Sequence, residues 1–263
     1  MTVLIDSHNH FDAAEFDDDR AAVYQRAHAA GVKAQLLAAV SARLWPKLKA
    51  VAAAYPGLYP CYGLHPVWLA EHRPEHLDTL ADWLTRERPV AIGECGLDFY
   101  LPDLDYATQV EYFTGQLQLA RRHDLPVVIH ARHAADQVIK QVRRFVGVRG
   151  MVHSFSGSLD QARRLLDLGI LLSFGGPLTY PRAHRLRGLM RVLPLDGFLL
   201  ETDAPDQPPS AHPGRRNEPA YLSEVLVCVA ELRNADPAEI AAATTENACR
   251  LFRLPDAVSP GPH

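Results

Sequence analysis

Residues 125–174 read LPVVIHARHAADQVIKQVRRFVGVRGMVHSFSGSLDQARRLLDLGILLSF. Three short apolar runs, 127–130, 150–153 and 170–174, have the length of buried strands, and helical patterns fill 134–145 and 159–168 between them. Ser158 stands where an N-cap belongs and Gly169 where a helix would end. Strand, helix, strand, helix, strand in so short a space requires parallel strands joined by crossover helices.

The same rhythm extends in both directions. Upstream strand candidates are 3–6, 34–39, 59–64 and 90–93, with helices at 17–30, 43–54, 75–88 and 105–123, the last stopping before Pro126. Downstream come a helix at 182–193, a strand at 198–201 and two further helices at 219–233 and 237–252. Eight strand–helix units point to a (β/α)8 TIM barrel rather than an open α/β sheet, and 263 residues suit one such barrel. No linker interrupts the series, so the expectation is one barrel domain over 1–254, followed by a disordered tail at 255–263 (PDAVSPGPH).

Composition narrows the class. With 48% hydrophobic residues, 27 basic and 31 acidic groups and a formal charge of −4, the chain has a globular rather than a disordered balance. No apolar run approaches the ~18–20 residues needed to span a bilayer, and MTVLID leads straight into a strand without a leader pattern. Cys61, Cys95, Cys228 and Cys249 are widely spaced with no CxxC, which fits a reducing cytoplasm. The net charge disfavours a general nucleic-acid field. Yet Lys33, Lys47, Lys49 and Lys140 are the only lysines, and the remaining basic residues are arginines, whose forks suit phosphate.

Polar residues fall at unexpected places. Strands buried on both faces should be apolar, but the first ends in Asp6-Ser7-His8-Asn9-His10 and the fourth in Gly93-Glu94. The fifth ends in His130, the sixth in His153 and the eighth in Glu201-Thr202-Asp203. Taken singly, each has an ordinary explanation as an exposed, capping or hydrogen-bonded side chain. Together they deliver four histidines and at least two carboxylates to the C-terminal strand ends, where barrel active sites lie. Imidazoles and carboxylates without thiolate suit Zn, Mn, Co or Fe, with Mg a further candidate. Six donors exceed one tetrahedral zinc, so a pair of divalent ions ~3.5–4 Å apart is expected, with Glu94 as the bridge.

The segments DSHNHFD (6–12), GLHP (63–66), AIGECGLDFY (91–100), LPVVIHAR (125–132), MVHSFSGS (151–158), LLETDAP (199–205), RRNEP (215–219) and TTENACRLF (244–252) together resemble the TatD family of metal-dependent deoxyribonucleases and hydrolases, in the amidohydrolase superfamily. GGPLTYPRA (175–183) and ETDAPDQP (201–208) are most similar to its YjjV branch. The resemblance implies that His8 and His10 hold one metal and His130 and His153 the other. Glu94 would bridge them, while Asp203 would bind the first metal and accept a proton. It implies substrate-binding or orienting roles for His65, Arg132, Asp98 and Asn217, with Glu201 supporting the ligands from behind. The chain departs from the family at His133 and Ala134 and at Asn9, none of which is an implied ligand.

The chemistry implied is metal-assisted hydrolysis, in which coordination lowers the pKa of water towards ~7 and a bridging hydroxide attacks. The expected substrate is a phosphodiester, single-stranded DNA degraded 3′→5′, approached by Arg182, Arg185, Arg187, Arg215 and Arg216. A small-molecule amide, ester or phosphoester is the alternative, favoured by the negative charge and by few aromatics expected at the surface to stack bases. A metal-stabilised binding module is the third reading, weakened because eight strands supply a core without a metal. Neither a membrane nor an obligate protein partner is expected.

Overall fold

The structure is a computed structural model that describes residues 2–255; beyond Pro255, the tail expectation lies outside the described residues. Eight strands form one sheet in chain order: β1 (Leu4–Asn9), β2 (Val32–Ala38), β3 (Leu58–Tyr62), β4 (Ala91–Asp98), β5 (Val127–Arg132), β6 (Gly150–Val152), β7 (Ile170–Phe174) and β8 (Phe198–Leu200). The pairs β1–β2, β3–β4, β4–β5, β5–β6 and β6–β7 are parallel. Between the strands run α1 (Arg20–Ala29), α2 (Trp45–Ala54), α3 (Glu75–Glu87), α4 (Tyr106–His123), α5 (Ala135–Val142), α6 (Leu159–Leu166) and α7 (His184–Met190). Helices α8 (Leu222–Arg233) and α9 (Pro237–Phe252) follow β8. The fold is a (β/α)8 barrel.

Helix ends follow local chemistry. Ser158 and Gln161 form a reciprocal capping box on α6, and Asp236 caps α9 with Pro237 at its first position. The helix expected at 182–193 is only the short α7, and that expected from 219 begins as a 3-10 turn over Pro219–Tyr221. β5 runs past His130 to Arg132, and the largest extensions are in β1 and β4. β1 continues through His8 to Asn9, and β4 continues past Glu94 to Asp98, so both residues lie inside strands rather than at their ends.

The chain gathers into two compact units. One comprises the residues up to Leu37, Val51–Tyr59 and those from Ser173 onward; the other comprises Ala38–Ala50 and Pro60–Leu172. In the first, the amphipathic α9 buries Ile240, Ala241, Ala248, Leu251 and Phe252. Its Asn247 donates to the carbonyls of Leu195 (2.8 Å) and Phe198 (3.0 Å), and Thr245 donates to Val3 (3.0 Å). The terminal helix thereby anchors the starts of β1 and β8.

In the second unit, α4 clamps two strand exits. Gln109 and Gln116 lie seven residues apart, on one helical face, and both are buried. Gln116 accepts from Leu64 N (2.8 Å) and donates to Leu64 O (3.1 Å), while Gln109 does the same at Asp98 (2.7 and 2.9 Å). Each carboxamide replaces the strand neighbour that the backbone there would otherwise lack. Gln116→Leu keeps the volume but strands both Leu64 groups, so stability should fall by roughly 1–3 kcal/mol in a urea melt; an unchanged midpoint would contradict the clamp.

Candidate metal centre

In the first unit the exit of β1 meets the exit of β8. Asp203 N–H donates to His8 O (3.0 Å) and His10 N–H to Ala204 O (2.8 Å). Between Asp6 and Asn9, β1 advances three residues while β2 advances two, from Gln35 to Leu37. This one-residue bulge falls at Ser7-His8 and frees His8 from strict alternation. The His8 and His10 rings stand edge to face with centroids 5.0 Å apart. Their Nε2 atoms lie 3.2 and 3.6 Å from Asp203 Oδ1, and the three side chains are spaced to share one metal ion. Asp203 adopts a left-handed φ of 57°, tolerated by Asp better than by most residues, and Gln207 Nε2 donates to its Oδ2.

Behind this group lies Asp6, fully buried. It accepts from Thr202 Oγ1 (2.5 Å), Thr202 N (2.9 Å) and Asn9 Nδ2 (2.9 Å), which fixes β8 against β1. Burial pushes its carboxyl up to about 6 despite these donors. Asn9 also donates to Gln35 Oε1 (3.1 Å) and accepts from Phe11 N (3.1 Å), and so sets the chain's course between the two histidines.

In the second unit Glu94 is the centre. Its Oε1 lies 2.9 Å from His65 Nε2, 3.0 Å from His130 Nδ1 and 2.9 Å from His153 Nε2. A bulge again places it: from Ile92 to Cys95, β4 advances three residues while β5 advances two, from Val127 to Ile129. Glycines make this approach feasible, since a Cβ on Gly96, whose φ is +135°, would fall 2.1 Å from His130 O. Cys95 turns away, its Sγ donating to Val128 O (3.5 Å), and burial raises its thiol pKa, so the centre has no thiolate.

Asp98 orients His130. Its Oδ2 lies 2.9 Å from His130 Nε2, while Oδ1 accepts from the backbone N–H groups of Tyr100 (2.9 Å) and Leu101 (3.3 Å). Burial alone would raise Asp98, but the imidazole and the two backbone donors outweigh it and hold the carboxyl below its ordinary value. Burial likewise opposes a charged His130, yet Asp98 and Glu94 prevail and raise it. His130 Nδ1, 3.1 Å from His153 Nε2, donates to Glu94 Oε1 when the ring is charged and presents a lone pair there when it is neutral with its proton given to Asp98. Acceptors this close repel unless a proton or a cation lies among them. His65 differs, because its Nδ1 accepts from Val67 N (3.1 Å). Its proton is therefore on Nε2, which donates to Glu94, so His65 is a donor to the centre although His65, Glu94 and His130 are spaced like ligands.

The remaining expected residues separate. Arg132 is exposed and lies over the face of Tyr100, 3.7 Å from the ring centroid. Asn217 is fully buried and donates to Thr202 O and Asp206 O, both at 2.7 Å, while accepting from Glu218 N (2.9 Å). Asn217 is thus buried and committed to the backbone of the loop after β8, and Asp98, 1% exposed, lies against His130. Glu201 is buried beside Gly175, where a Cβ would come within 3.3 Å of its Cγ. Arg216, expected to approach the substrate, grips Asp19 through two 2.8 Å bonds and reaches Glu218 at 3.3 Å. Large exposed aromatics are also better represented than expected, with Trp68, Tyr100 and Tyr106 37%, 52% and 46% accessible. Gln109, Gln116 and Gln207 escaped sequence reading because a glutamine carries no signal of its partner. Asp6 had one, an acid at the end of an apolar strand.

Two outcomes follow from these contacts. Removing the carboxylate that orients a metal-binding imidazole weakens metal affinity by about 10–100-fold, so Asp98→Asn should do so in a chelator-competition titration while the far-UV spectrum stays unchanged. Asp19 and Glu218 are both held below the ordinary carboxylate range, with Arg216 and Arg26 as the lowering partners. Their contribution to stability is full above the unfolded-state values and is lost as pH falls through the lowered folded values. Urea melts should therefore show Arg216→Gln less stable than the parent at pH 7, with the gap closing below about pH 4.

Comparison with known proteins agrees with this geometry. The family model described as TatD related DNase matches residues 5–253. The uncharacterized metal-dependent hydrolase YjjV of Escherichia coli K12 is 41% identical over 255 residues, covering 96% of this chain and 98% of the relative. The 3′-5′ ssDNA/RNA exonuclease TatD of Cronobacter sakazakii is 36% identical, covering 91% of this chain and 94% of the relative. The crystal structure of the E. coli YjjV protein, a TatD homolog, superposes with a TM-score of 0.92 at 40% identity, over 96% of this chain and 98% of that one. The chain therefore belongs to the TatD family of metal-dependent hydrolases, in the branch of YjjV.

Proposed function

We propose that this hydrolase uses two divalent metal ions to cleave a phosphodiester, with single-stranded DNA attacked from its 3′ end as the substrate. The observation that carries the metal reading is the packing of Glu94 Oε1, His130 Nδ1 and His153 Nε2 within 2.9–3.1 Å, with Asp98 on the far nitrogen of His130. This is the arrangement of a metal-binding imidazole backed by a carboxylate. The donor set fits borderline metals such as zinc, manganese, cobalt or iron, with magnesium a further candidate. His8, His10 and Asp203 would hold one ion and His130 and His153 the other, with Glu94 shared. Bound ions supply Lewis acidity towards a phosphoryl oxygen and acidify water.

The chain's own residues supply the rest. Asp203 accepts the proton of the attacking water, and Gln207 holds its carboxylate by the Oδ2 bond. His65 N–H donates to Glu94 and fixes its carboxylate. Arg132, steadied on Tyr100, offers a cation to the substrate phosphate. The nucleic-acid reading is supported by the printed activity of the Cronobacter relative. Exposed Trp68 and Tyr100 follow His65 and Asp98 closely in the chain and can stack bases. Among the described residues Cys61, Cys95, Cys228 and Cys249 form no disulfide with one another, which fits a cytoplasmic setting. Among the described residues, no helix is long and apolar enough to cross a membrane.

Purified, metal-loaded protein should shorten 5′-labelled single-stranded DNA to a ladder, and blocking its 3′ end should prevent this. Binding should weaken steeply as salt rises, through counterion release. Asp203→Asn should lower kcat by about 10²–10⁴-fold. Turnover confined to N-acyl amides or small esters would replace the nuclease reading with the small-molecule one. Wild-type kcat in Asp203→Asn would remove its role as proton acceptor.

A further inference from the structure

Beside Asp203, the first unit holds a cavity that the mechanism above does not use. Its volume is about 340 Å³, at the small end of ligand sites, and Pro177, Tyr180, Arg182, Leu186, Gln207 and Pro208 line it. Two loops build it, one after β7 and one after β8, and they are stapled together. Tyr180 Oη donates to Pro208 O (3.2 Å), Ser210 N to Thr179 Oγ1 (2.7 Å) and Ser210 Oγ to Thr179 O (3.1 Å). Gly176 lets them meet, because a Cβ there would lie 2.1 Å from Gln207 O. The two loops that form the cavity are thus tied together by three hydrogen bonds.

Its lining has a definite chemistry. Pro177, Leu186 and Pro208 give apolar walls, Tyr180 gives an aromatic one, and Arg182 sits with its guanidinium 5.4 Å from the Tyr180 ring. No acidic residue is among the described lining residues, and Gln207 joins the cavity to Asp203 through its hydrogen bond. A flat ring is favoured by the aromatic and apolar walls, and an anionic attachment by the arginine. We infer that this cavity is a ring subsite that receives the base of the terminal nucleotide while the adjoining phosphate is presented to Asp203. The identity of the ligand rests on the phosphodiesterase reading above; the preference for a ring on an anion rests on the lining alone.

The test is equilibrium binding, independent of turnover. Thymidine 5′-monophosphate and 2-deoxyribose 5-phosphate differ by the base, and calorimetric titration of the full chain should show the nucleotide binding about tenfold more tightly, in line with one base–aromatic contact. Tyr180→Ala should abolish that advantage, and Leu186→Trp, which fills the cavity, should do the same, both leaving the sugar phosphate affinity unchanged. Equal affinities in the parent protein would overturn the subsite, as would an advantage that survives both variants. A base-dependent affinity lost in Tyr180→Ala upholds it even if no oligonucleotide is cut, in which case only the nuclease reading falls. Cleavage of thymine-ended and abasic-ended strands with the same KM would leave the nuclease reading intact and sink the subsite.

Discussion

Burying ionisable side chains without water is the constraint on which this structure turns. An isolated buried charge costs several kcal/mol, and net stabilities of proteins are of only that order. Asp6, His8, Glu94, Asp98 and Glu201 are each no more than 1% exposed. Asp6 and Asp98 show how the outcome is decided. Both accept several hydrogen bonds, but the donors to Asp6 are neutral hydroxyl, amide and backbone groups, and burial prevails, lifting it to about 6. Asp98 faces an imidazole able to carry charge, and the balance reverses, holding it low. One residue type thus serves two purposes: Asp6 ties strands together, and Asp98 aims a histidine.

The backbone adapts to this chemistry at matching places. Regular strands alternate side chains strictly, which limits the directions in which donors can converge. Bulges at Ser7-His8 in β1 and Gly93-Glu94 in β4 relieve that limit at a proposed ligand in each strand. The backbone beyond each bulge is held by a side chain: Asn9 accepts from Phe11 N in the first unit and Gln109 from Asp98 N in the second.

Charge is likewise placed by use rather than by total. The arginines that sequence reading grouped together diverge in structure. Arg216 closes a network with Asp19 and Glu218 that joins the loop after β8 to the start of α1. Arg132 and Arg182 lie near tyrosine faces, where a guanidinium keeps its charge yet loses mobility. A formal charge of −4 therefore says little about what the protein can bind, because the acids that contribute to it include buried carboxylates such as Glu94 and Asp98.

Sequence alone determined the order of eight strands and their helices, because hydrophobic period and caps are local properties that survive without neighbours. It also singled out His8, His10, Glu94, His130, His153 and Asp203, since polar groups in apolar strands are conspicuous wherever they end up. It placed Glu94 at a strand end, where the structure puts it within β4. Tertiary structure decided the bulges, the tautomer of His65, the opposite protonation tendencies of Asp6 and Asp98, and the cavity between the two stapled loops. Each of those depends on which distant atom lies within about 3 Å, and no local pattern of residues encodes that distance.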